Sequence, residues 1–333
     1  MAIPDVRDSF PGIDQAFQQE SGGRARIASI TRRPSEYRTS FVLDEVDILL
    51  GNGEVLRLVA KNVARSALTD VARNAKPAFL SHPLREIQVY RELLNPSCLG
   101  PPRFHGSLID EASDTYWLFI ERLSGAELYQ IGEIDIWKQV ARWLAHFHAR
   151  FESDDALSRA AAAVPLIRYD CEFFRTWRDR ALAFSSRWPK QAYDRMRWLE
   201  KRYDLVIERL AALPSTVIHG EFYASNVLVE PLPVPTRVAP VDWELAAIGP
   251  GLIDLAALTA GSWSEKERLS IANAYFGARD RQKPVDELLD DLRLCRLHLA
   301  VQWLGWSDSW IPPREHTHDW LSEAIHLAEE MSL

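Results

Sequence analysis

Three polar residues in the second half of the chain have the types and spacing needed for phosphoryl transfer. Glu221 follows a short apolar stretch that ends at His219, Asn226 comes five residues later, and Asp242 follows the apolar residues 238–241. In phosphoryl transfer, an acid on a loop orients the attacking hydroxyl, while an Asn and an Asp hold the metal. The spacing therefore predicts a catalytic loop and a metal loop between residues 217 and 244.

These residues would position groups and neutralise charge, because phosphoryl transfer passes through a loose transition state that needs little covalent chemistry. Asn226 and Asp242 supply oxygen ligands of the kind that Mg²⁺ prefers. Glu244, two residues after Asp242, could stand beside these ligands or bind a second metal ion. We predict a Mg²⁺ site at Asn226 and Asp242, with Glu221 as the base that orients the acceptor.

Strands near the N-terminus are the predicted elements that hold a nucleotide opposite this loop. Their pattern appears at residues 25–31, 41–50 and 55–61. The last two are joined by Gly51-Asn52-Gly53, a strong hairpin-turn signal. Alternation along the third strand puts Lys61 on the same face as Val59, from which the Lys can reach into a cleft.

A helix with a suitably placed Glu follows these strands. Ser81 and Pro83 predict its start, and it ends near residue 95. In enzymes of the protein-kinase type, a Glu on such a helix pairs with the strand Lys and fixes its position. We choose Glu86 for this role over Glu92.

The turn between the first two strands, residues 32–40, stands where kinases carry a glycine-rich phosphate loop, yet it contains no glycine. The donors that it offers instead are Ser35, Tyr37, Arg38, Thr39 and Ser40. A plain polar turn explains these residues equally well.

Two further strands are predicted at residues 102–110 and from residue 115, and the composition becomes helical after Glu121. This places a hinge at residues 121–124, where the backbone groups of Glu121 and Leu123 are the predicted contacts of the nucleotide base. The predicted domains are an N-terminal nucleotide-binding lobe, 1–121, and a C-terminal helical lobe, 122–333, with the catalytic loop and the acceptor site.

The second lobe offers only general signals for an acceptor. An amphipathic helix is predicted at residues 134–151, in which His146 and His148 are interpreted as structural. Candidate walls of an acceptor site are Trp263, Trp303, Trp306 and Trp310. Asp290 and Asp291 could attract an amine.

Composition excludes several classes of protein. With 47% hydrophobic and 26% charged residues, the chain is typical of a globular protein, and its net charge of −8 argues against a general nucleic-acid binder. The acidity lies after residue 120 and would favour a cationic acceptor. Three scattered cysteines and the absence of a signal-like or membrane-spanning segment predict a cytoplasmic protein without a zinc site. A short helix is predicted at residues 10–20.

Two stretches resemble the aminoglycoside phosphotransferase family, also called the phosphotransferase enzyme family, which shares the protein-kinase fold. They are HGEFYASNVLV at 219–229 and APVDWELAAIGPGLIDLAAL at 239–258. The matching positions are His219, Gly220, Asn226, Asp242 and Asp254. The resemblance implies an α+β, bilobal, protein-kinase-like fold, with an antiparallel sheet and one key helix before a mainly helical lobe. It also implies that Asp254 braces the catalytic loop and that His219 fixes it.

The same resemblance implies roles in the cleft. Asn226 and Asp242 would bind Mg²⁺, and Lys61 and Glu86 would form the ion pair under the phosphates of ATP. The residue at 221 would be the base, but the family has Asp there and this chain has Glu221. The extra methylene moves the carboxylate by about 1 Å, and a misplacement of this size can lower the reaction rate by about 100-fold.

The expected function is therefore ATP- and Mg²⁺-dependent transfer of the γ-phosphate to a hydroxyl of a small molecule. An aminoglycoside-like compound, another antibiotic, an amino alcohol and a sugar all remain open as acceptors. One alternative is a pseudokinase that binds nucleotide or a protein partner without transfer, and another is nucleotidyl transfer. The sequence gives no indication of the oligomeric state.

Overall fold

A computed structural model describes most of the chain. The described residues are 26–38, 40–94, 100–230, 236–261, 263–279, 284–306 and 318–333. The helix predicted at residues 10–20 lies outside them, as do Thr39 and Trp310.

Five antiparallel strands form the first sheet. They are β1 (Ile27–Arg38), β2 (Val42–Leu50), β3 (Val55–Asn62), β4 (Phe104–Asp110) and β5 (Thr115–Glu121). Their order in the sheet is β1-β2-β3-β5-β4, so the β3 strand lies at the centre. The turn at residues 51–53 joins β2 to β3 as predicted, and Gly53 adopts the left-handed φ of 87° that favours glycine there.

The two faces of β3 have different surroundings, as the alternation predicts. Leu58 and Ala60 lie in a small core on one face of the sheet, together with Val46 and Phe119. Lys61 points to the other face and is 4% exposed. The central strand therefore delivers a buried ammonium group to the side of the sheet that faces the helices.

The prediction of a polar turn at residues 32–40 is wrong for most of its length, because β1 continues to Arg38. Its register pairs Arg33 with Glu45 and Pro34 with Asp44, followed by an irregularity before Arg38. Proline is tolerated because β1 is an edge strand, where every second backbone nitrogen faces away from the sheet and needs no N–H for the ladder. Pairing with β2 therefore overrides the local turn signal.

Two short helices connect β3 to β4. The first, α1 (Asp70–Ala75), was not predicted from the sequence, and Thr69 caps it by accepting a hydrogen bond from the Ala72 N–H. The second, α2 (Pro83–Gln88), continues as a π-helical segment, Val89–Leu94. Its N-cap is His82 rather than the predicted Ser81, and Pro83 takes the first helical position.

The chain after Glu121 is mainly helical. Its helices are α3 (Ile134–Ala149), α4 (Asp154–Ala163), α5 (Cys171–Ser185), α6 (Lys190–Glu200), α7 (Tyr203–Ala211), α8 (Leu252–Leu258), α9 (Glu265–Gly277), α10 (Val285–Leu304) and α11 (Trp320–Glu330). Its strands are β6 (Ala126–Glu127), β7 (Ile167–Arg168), β8 (Ser215–Ile218), β9 (Val227–Glu230), β10 (Arg237–Pro240) and β11 (Ala247–Pro250). They form two small sheets, β10-β9-β6 and β7-β11-β8.

A single large core joins these helices and the small sheets to the inner face of the first sheet. Its largest fully buried side chains include Trp177, Trp243 and Phe147. The predicted α+β fold, an antiparallel sheet with one key helix followed by a helical region, is confirmed. The lobe boundary near residue 121 stays a prediction. Among the described residues, no helix has the length and apolar character that crossing a membrane would require.

Candidate active site

The loop after β8 is held from below by one carboxylate. Asp254, fully buried on α8, accepts hydrogen bonds from the backbone N–H groups of His219, at 2.7 Å, and Gly220, at 2.9 Å. The ring of His148, on α3, lies 3.3 Å from the same carboxylate. Asp254 thus satisfies two buried backbone donors of the loop, which is the bracing position that the resemblance implies.

Gly220 is required at its position by two features. Its φ of 85° lies in the left-handed region, and a Cβ built on it would come within 2.4 Å of the Leu245 carbonyl oxygen. Any other residue would therefore be strained and would push the metal loop away. The close approach of the two backbones sets the distance between the catalytic and metal loops.

His219 fixes the loop and is buried. Its Nε2 lies 2.9 Å from the Val241 carbonyl oxygen, and the Glu221 N–H donates to its Nδ1 over 3.3 Å. Both contacts are satisfied by the neutral ring with its proton on Nε2. Burial lowers the pKa of His219, although the Asp254 carboxylate opposes this. The ring links the catalytic loop to the metal loop.

The hairpin of β9 and β10 brings Asn226 beside Asp242. The Val241 N–H, just before Asp242, donates to the Asn226 carbonyl oxygen over 2.9 Å. The Asn226 side chain donates from Nδ2 to the Glu221 carbonyl oxygen, also over 2.9 Å. This leaves Oδ1 as the atom of Asn226 that can coordinate a cation.

Asp242 has an unusual backbone conformation, with φ 66° and ψ 58° in the left-handed region. This conformation is uncommon for a residue other than glycine, although Asp and Asn tolerate it best, and such residues cluster at functional sites. The turn Trp243–Leu245 follows directly, so the unusual dihedral angles aim the Asp242 side chain back into the cleft.

Lys61 joins the first sheet to the metal loop. Its Nζ lies 2.7 Å from Glu86 Oε2 and 2.5 Å from Asp242 Oδ1. Burial alone would lower the pKa of Lys61, but the carboxylates of Asp242 and Glu86 outweigh it and the pKa is raised. Burial would likewise raise the pKa of Asp242, but the adjacent ammonium lowers it. The structure thus brings together three residues predicted from three separate segments.

A second buried ion pair lies next to the first and was not predicted. Lys76, the residue after α1, pairs with Glu244 Oε2, and the Ser40 hydroxyl donates to Glu244 Oε1 over 3.1 Å. The two lysines share one neighbour, because the Phe41 ring centroid lies 5.1 Å from Lys61 Nζ and 6.0 Å from Lys76 Nζ. No sequence motif marks Lys76, since its partner lies 168 residues away.

Arg85 holds helix α2 in place and was also missed. Its guanidinium donates to the carbonyl oxygens of Leu80, Pro165 and Glu244, each over 2.7 Å. Burial lowers the pKa of Arg85 to about 10. Because Glu86 is the next residue, these bonds also fix the carboxylate that contacts Lys61.

The balance of charge in the cleft suits a divalent cation. It gathers two ammonium and four carboxyl groups, namely Lys61, Lys76, Glu86, Glu221, Asp242 and Glu244. If all six were ionised they would carry two net negative charges, and the guanidinium of Arg85 also interacts electrostatically with Glu244. Burial raises the pKa of Glu221 to about 8, and its carboxylate neighbours Glu244 and Asp242 add to this effect. A Mg²⁺ ion would relieve this repulsion.

The oxygen atoms near Asp242 fit Mg²⁺ in type. Lys61 contacts Oδ1 of Asp242, so Oδ2 points elsewhere, and Oδ1 of Asn226 is the second donor. Within the described part of the chain, no group of three or more His, Cys, Asp or Glu could hold a metal. Mg²⁺ commonly takes one or two protein ligands and shares the phosphates of its nucleotide, so a two-residue site suffices.

The predicted hinge is tied to the hairpin that carries the metal residues. Glu121 accepts two bonds from Arg237, at 2.7 and 3.0 Å, and the Ser124 N–H donates to Glu230 Oε1 over 3.1 Å. The Glu121 side chain is thus engaged with the hairpin, and a base contact there would use the backbone. Base contacts at Glu121 and Leu123 stay predictions.

The candidate acceptor walls separate by position. Trp303 lies against the catalytic loop, with its ring centroid 5.6 Å from that of Tyr223, and it stacks on Trp320 at 5.4 Å. Trp263 instead packs on Trp137, and Trp306 stacks on Trp177, while Trp310 lies outside the described residues. Asp290 pairs with Arg293 at the surface. Of the described candidates, Trp303 is the one in contact with the loop.

Comparison with known proteins identifies one matching family. The model of the phosphotransferase enzyme family matches residues 62–290, which include Glu86, Glu221, Asn226 and Asp242. No curated protein matches the chain at the sequence level.

Solved structures with the same fold are distant in sequence. The GDP complex of wild-type aminoglycoside 2′-phosphotransferase-IIIa aligns with a TM-score of 0.56 and 15% identity, covering 98% of this chain and 95% of that one. An ethanolamine kinase from Plasmodium vivax aligns at 0.57 with 12% identity, covering 91% and 82%. A microcompartment-associated aminopropanol kinase aligns at 0.58 with 13% identity, covering 93% of each chain. These likenesses show a shared fold.

Proposed function

The chain belongs to the phosphotransferase enzyme family, and we propose that it transfers the γ-phosphate of Mg²⁺·ATP to a hydroxyl of a small molecule. The observation that carries this proposal is the position of Lys61, buried between Glu86 and Asp242 at distances of 2.7 and 2.5 Å. Burying charges costs free energy even when they are paired, so such a cluster is weak evidence for stability alone and suits a functional site. It joins the sheet, helix α2 and the metal loop at the place where a nucleotide would bind between them.

Each residue of the cluster has a definite task in this proposal. Asn226 and Asp242 would hold Mg²⁺, which neutralises the negative charge of the phosphates during transfer. Lys61 would contact the phosphates, and Glu86 would keep its ammonium in place. Glu221 would orient the acceptor hydroxyl and accept its proton, a role that a loose transition state makes undemanding.

We also propose that the acceptor carries an amine. The three structural neighbours are named for an aminoglycoside, ethanolamine and aminopropanol, all of which combine amino and hydroxyl groups. The rings of Trp303 and Tyr223 beside the catalytic loop could receive a cation on their faces. The cytoplasm remains our prediction for its location.

Nucleotide binding without transfer is the alternative, and two observations favour it. Glu221 stands where the family has Asp, and the glycine-free turn after β1 reaches the metal loop through the bond from Ser40 to Glu244. A nucleotidyl transferase would use the same cleft, but its product would gain a nucleotide. The mass of the product separates that reaction from phosphate transfer.

Calorimetry of nucleotide binding is the first test. We expect the wild type to bind ATP or GTP more tightly with Mg²⁺ than without it, and Asp242→Ala to lose this Mg²⁺ dependence. A screen of amino alcohols and aminoglycosides for ADP release would then identify the acceptor.

The two functions predict different results in that screen. Transfer requires that ADP release depends on the acceptor, and the role proposed for Glu221 requires that Glu221→Ala lowers this release by about 100-fold. Binding of Mg²⁺·ATP without any acceptor-dependent release would favour the pseudokinase, and no binding by the wild type at millimolar nucleotide would refute both.

A further inference from the structure

The ion pair of Lys76 and Glu244 is not explained by the roles given above. Both side chains are nearly buried, with exposures of 5% and 11%. They line one small cavity together with Glu86 and Phe41, which places Lys76 beside the Lys61 cluster. The Lys76 ammonium also interacts electrostatically with the carboxylates of Glu221 and Asp242.

Nucleotide phosphates are bound by cationic and N–H donors, and in enzymes of the protein-kinase type a glycine-rich loop supplies many of them. Residues 32–40 contain no glycine, and β1 pairs with β2 at Arg33, at Pro34 and, after an irregularity, at Arg38. The Ser40 hydroxyl is bonded to Glu244 and the Ser40 carbonyl to the Thr69 N–H. Lys61 is already shared by two carboxylates. Lys76 lines the cavity beside this cluster and is placed to supply a donor that a glycine-rich phosphate loop would otherwise provide.

We propose that Lys76 is a second phosphate-binding cation of this site, held by Glu244 in the free protein and transferred to the nucleotide phosphates on binding. This inference rests on the proposed function, because it assumes that a nucleotide enters the cleft. Lys76 exchanges one counter-ion for another, so its buried charge is compensated in both states. Glu244, two residues from Asp242, would then be free to face the metal.

The position of Lys76 supports a direct role. Lys76 directly follows helix α1, and that helix is held by the Thr69 cap and by Arg73, which donates to the carbonyl oxygens of Ser66 and Leu68. A cation on a fixed support costs less entropy to use than one on a free loop. The buried ring of Phe41 contacts the ammonium groups of both lysines.

The main alternative is that Lys76 only ties the metal loop to the first sheet. The two roles differ in how binding depends on the number of phosphates. We would measure ATP, ADP and adenosine binding by calorimetry for the wild type and Lys76→Met. The matched control is Lys190→Met, which removes an ammonium that is 87% exposed and lies on α6.

If Lys76 contacts the phosphates, Lys76→Met should weaken ATP binding by about 10- to 100-fold. ADP should lose less and adenosine should change by less than about twofold. Equal losses for ATP and adenosine, or no loss for either, would overturn the inference. The melting temperature of each variant reports whether the fold is kept.

Glu244→Gln gives an independent result that does not depend on Lys76→Met folding. Without metal, this variant should bind ATP about 3- to 10-fold more tightly than the wild type, because Lys76 has lost its internal counter-ion. The gain should vanish in Lys76→Met combined with Glu244→Gln. An unchanged metal-free affinity of Glu244→Gln would contradict the exchange. Failure of the wild type to bind ATP at all would instead refute the proposed function, and this inference with it.

Discussion

Two carboxylates lie on opposite sides of the catalytic loop, and their surroundings differ in kind. Asp254, below the loop, is bonded to two backbone N–H groups and contacts a histidine ring. Asp242, on the side of the cleft, is paired with the ammonium of Lys61 and sits on a left-handed backbone. One has fixed donors that stay in place, and the other has a charged side chain that can exchange partners.

We infer from this difference that Asp254 stabilises the fold, whereas Asp242 is available for the reaction. A carboxylate that satisfies buried backbone donors cannot leave them without exposing unpaired N–H groups, so its contribution is to the fold. A carboxylate paired with a lysine can accept a metal instead, provided that another anion compensates the lysine. Glu86 is that anion for Lys61. Replacement of Asp by Asn should therefore lower mainly the activity at position 242 and mainly the stability at position 254.

Asp242→Asn should have the largest effect on activity and a small effect on stability. It removes a predicted metal ligand, and we expect the rate of phosphate transfer to fall by about 100- to 1,000-fold, as for the loss of one preorganised electrostatic group. Asn accepts the left-handed backbone, and Glu86 still compensates Lys61, so the free energy of unfolding should change by less than about 1 kcal/mol. Acceptor-dependent ADP release and denaturant unfolding measure the two quantities.

A loss of several kcal/mol of stability in Asp242→Asn would contradict the inferred difference between the two carboxylates, because it would show that Asp242 is needed to hold the metal loop. Unchanged transfer would remove Asp242 from the reaction. The substitution Asp290→Asn, at the surface of α10, is a suitable control for the loss of one carboxylate.

Asp254→Asn should show the reverse pattern. The amide has one acceptor oxygen, whereas the carboxylate receives the N–H groups of both His219 and Gly220, and its NH₂ would face a donor. At least one buried N–H loses its partner, and we expect the free energy of unfolding to fall by about 2–3 kcal/mol. Denaturant unfolding gives the value directly.

Nucleotide binding by Asp254→Asn tests whether Asp254 has any role besides stabilising the fold. Below its new unfolding midpoint, the variant should still show Mg²⁺-dependent ATP binding, because no metal or phosphate contact is assigned to Asp254. Loss of the Mg²⁺ dependence in folded protein, without loss of stability, would mean that the two carboxylates share one role.

The candidate site residues of the cleft were largely predictable from the sequence. Asn226 and Asp242 follow from a short spacing between apolar strands, and Lys61 follows from the period of two along β3. Each of these signals is local, so it survives without knowledge of the tertiary structure. Glu86 required only one further choice, between two glutamates on one helix.

The rest depends on contacts between distant segments. Lys76 and Glu244 are 168 residues apart, and no sequence pattern near either residue predicts their contact. The guanidinium of Arg85 is bound by carbonyl groups, which any sequence supplies, so no residue type could have pointed to it. The extension of β1 through Pro34 likewise depends on its partner strand. Sequence patterns thus predicted the residues that the structure brings together in the cleft, but not the contacts that hold them.

Acid should lower the stability of the helices below the catalytic loop, because these helices bury neutral histidines. Burial lowers the pKa of His298 to about 3, and its Nδ1 lies 3.0 Å from the Tyr203 hydroxyl. An unfolded chain binds a proton there near pH 6.5, so it binds more protons than the native state between pH 6.5 and 3. Stability from this residue is therefore complete above pH 6.5 and is lost as the pH falls.

The loss from His298 should approach about 1.4 kcal/mol per pH unit within that range. In His298→Asn, the unfolding free energy should depend less steeply on pH than in the wild type. The difference in slope should correspond to close to one bound proton, even if the variant is less stable at pH 7. Denaturant unfolding from pH 7.5 to 4.5 measures the slope, and His326→Asn, at an exposed position on α11, is the control. If the slopes of His298→Asn and the wild type agree, acid sensitivity comes from the charged cleft rather than from the buried support. The assignment of stability to the lower side of the loop would then need revision.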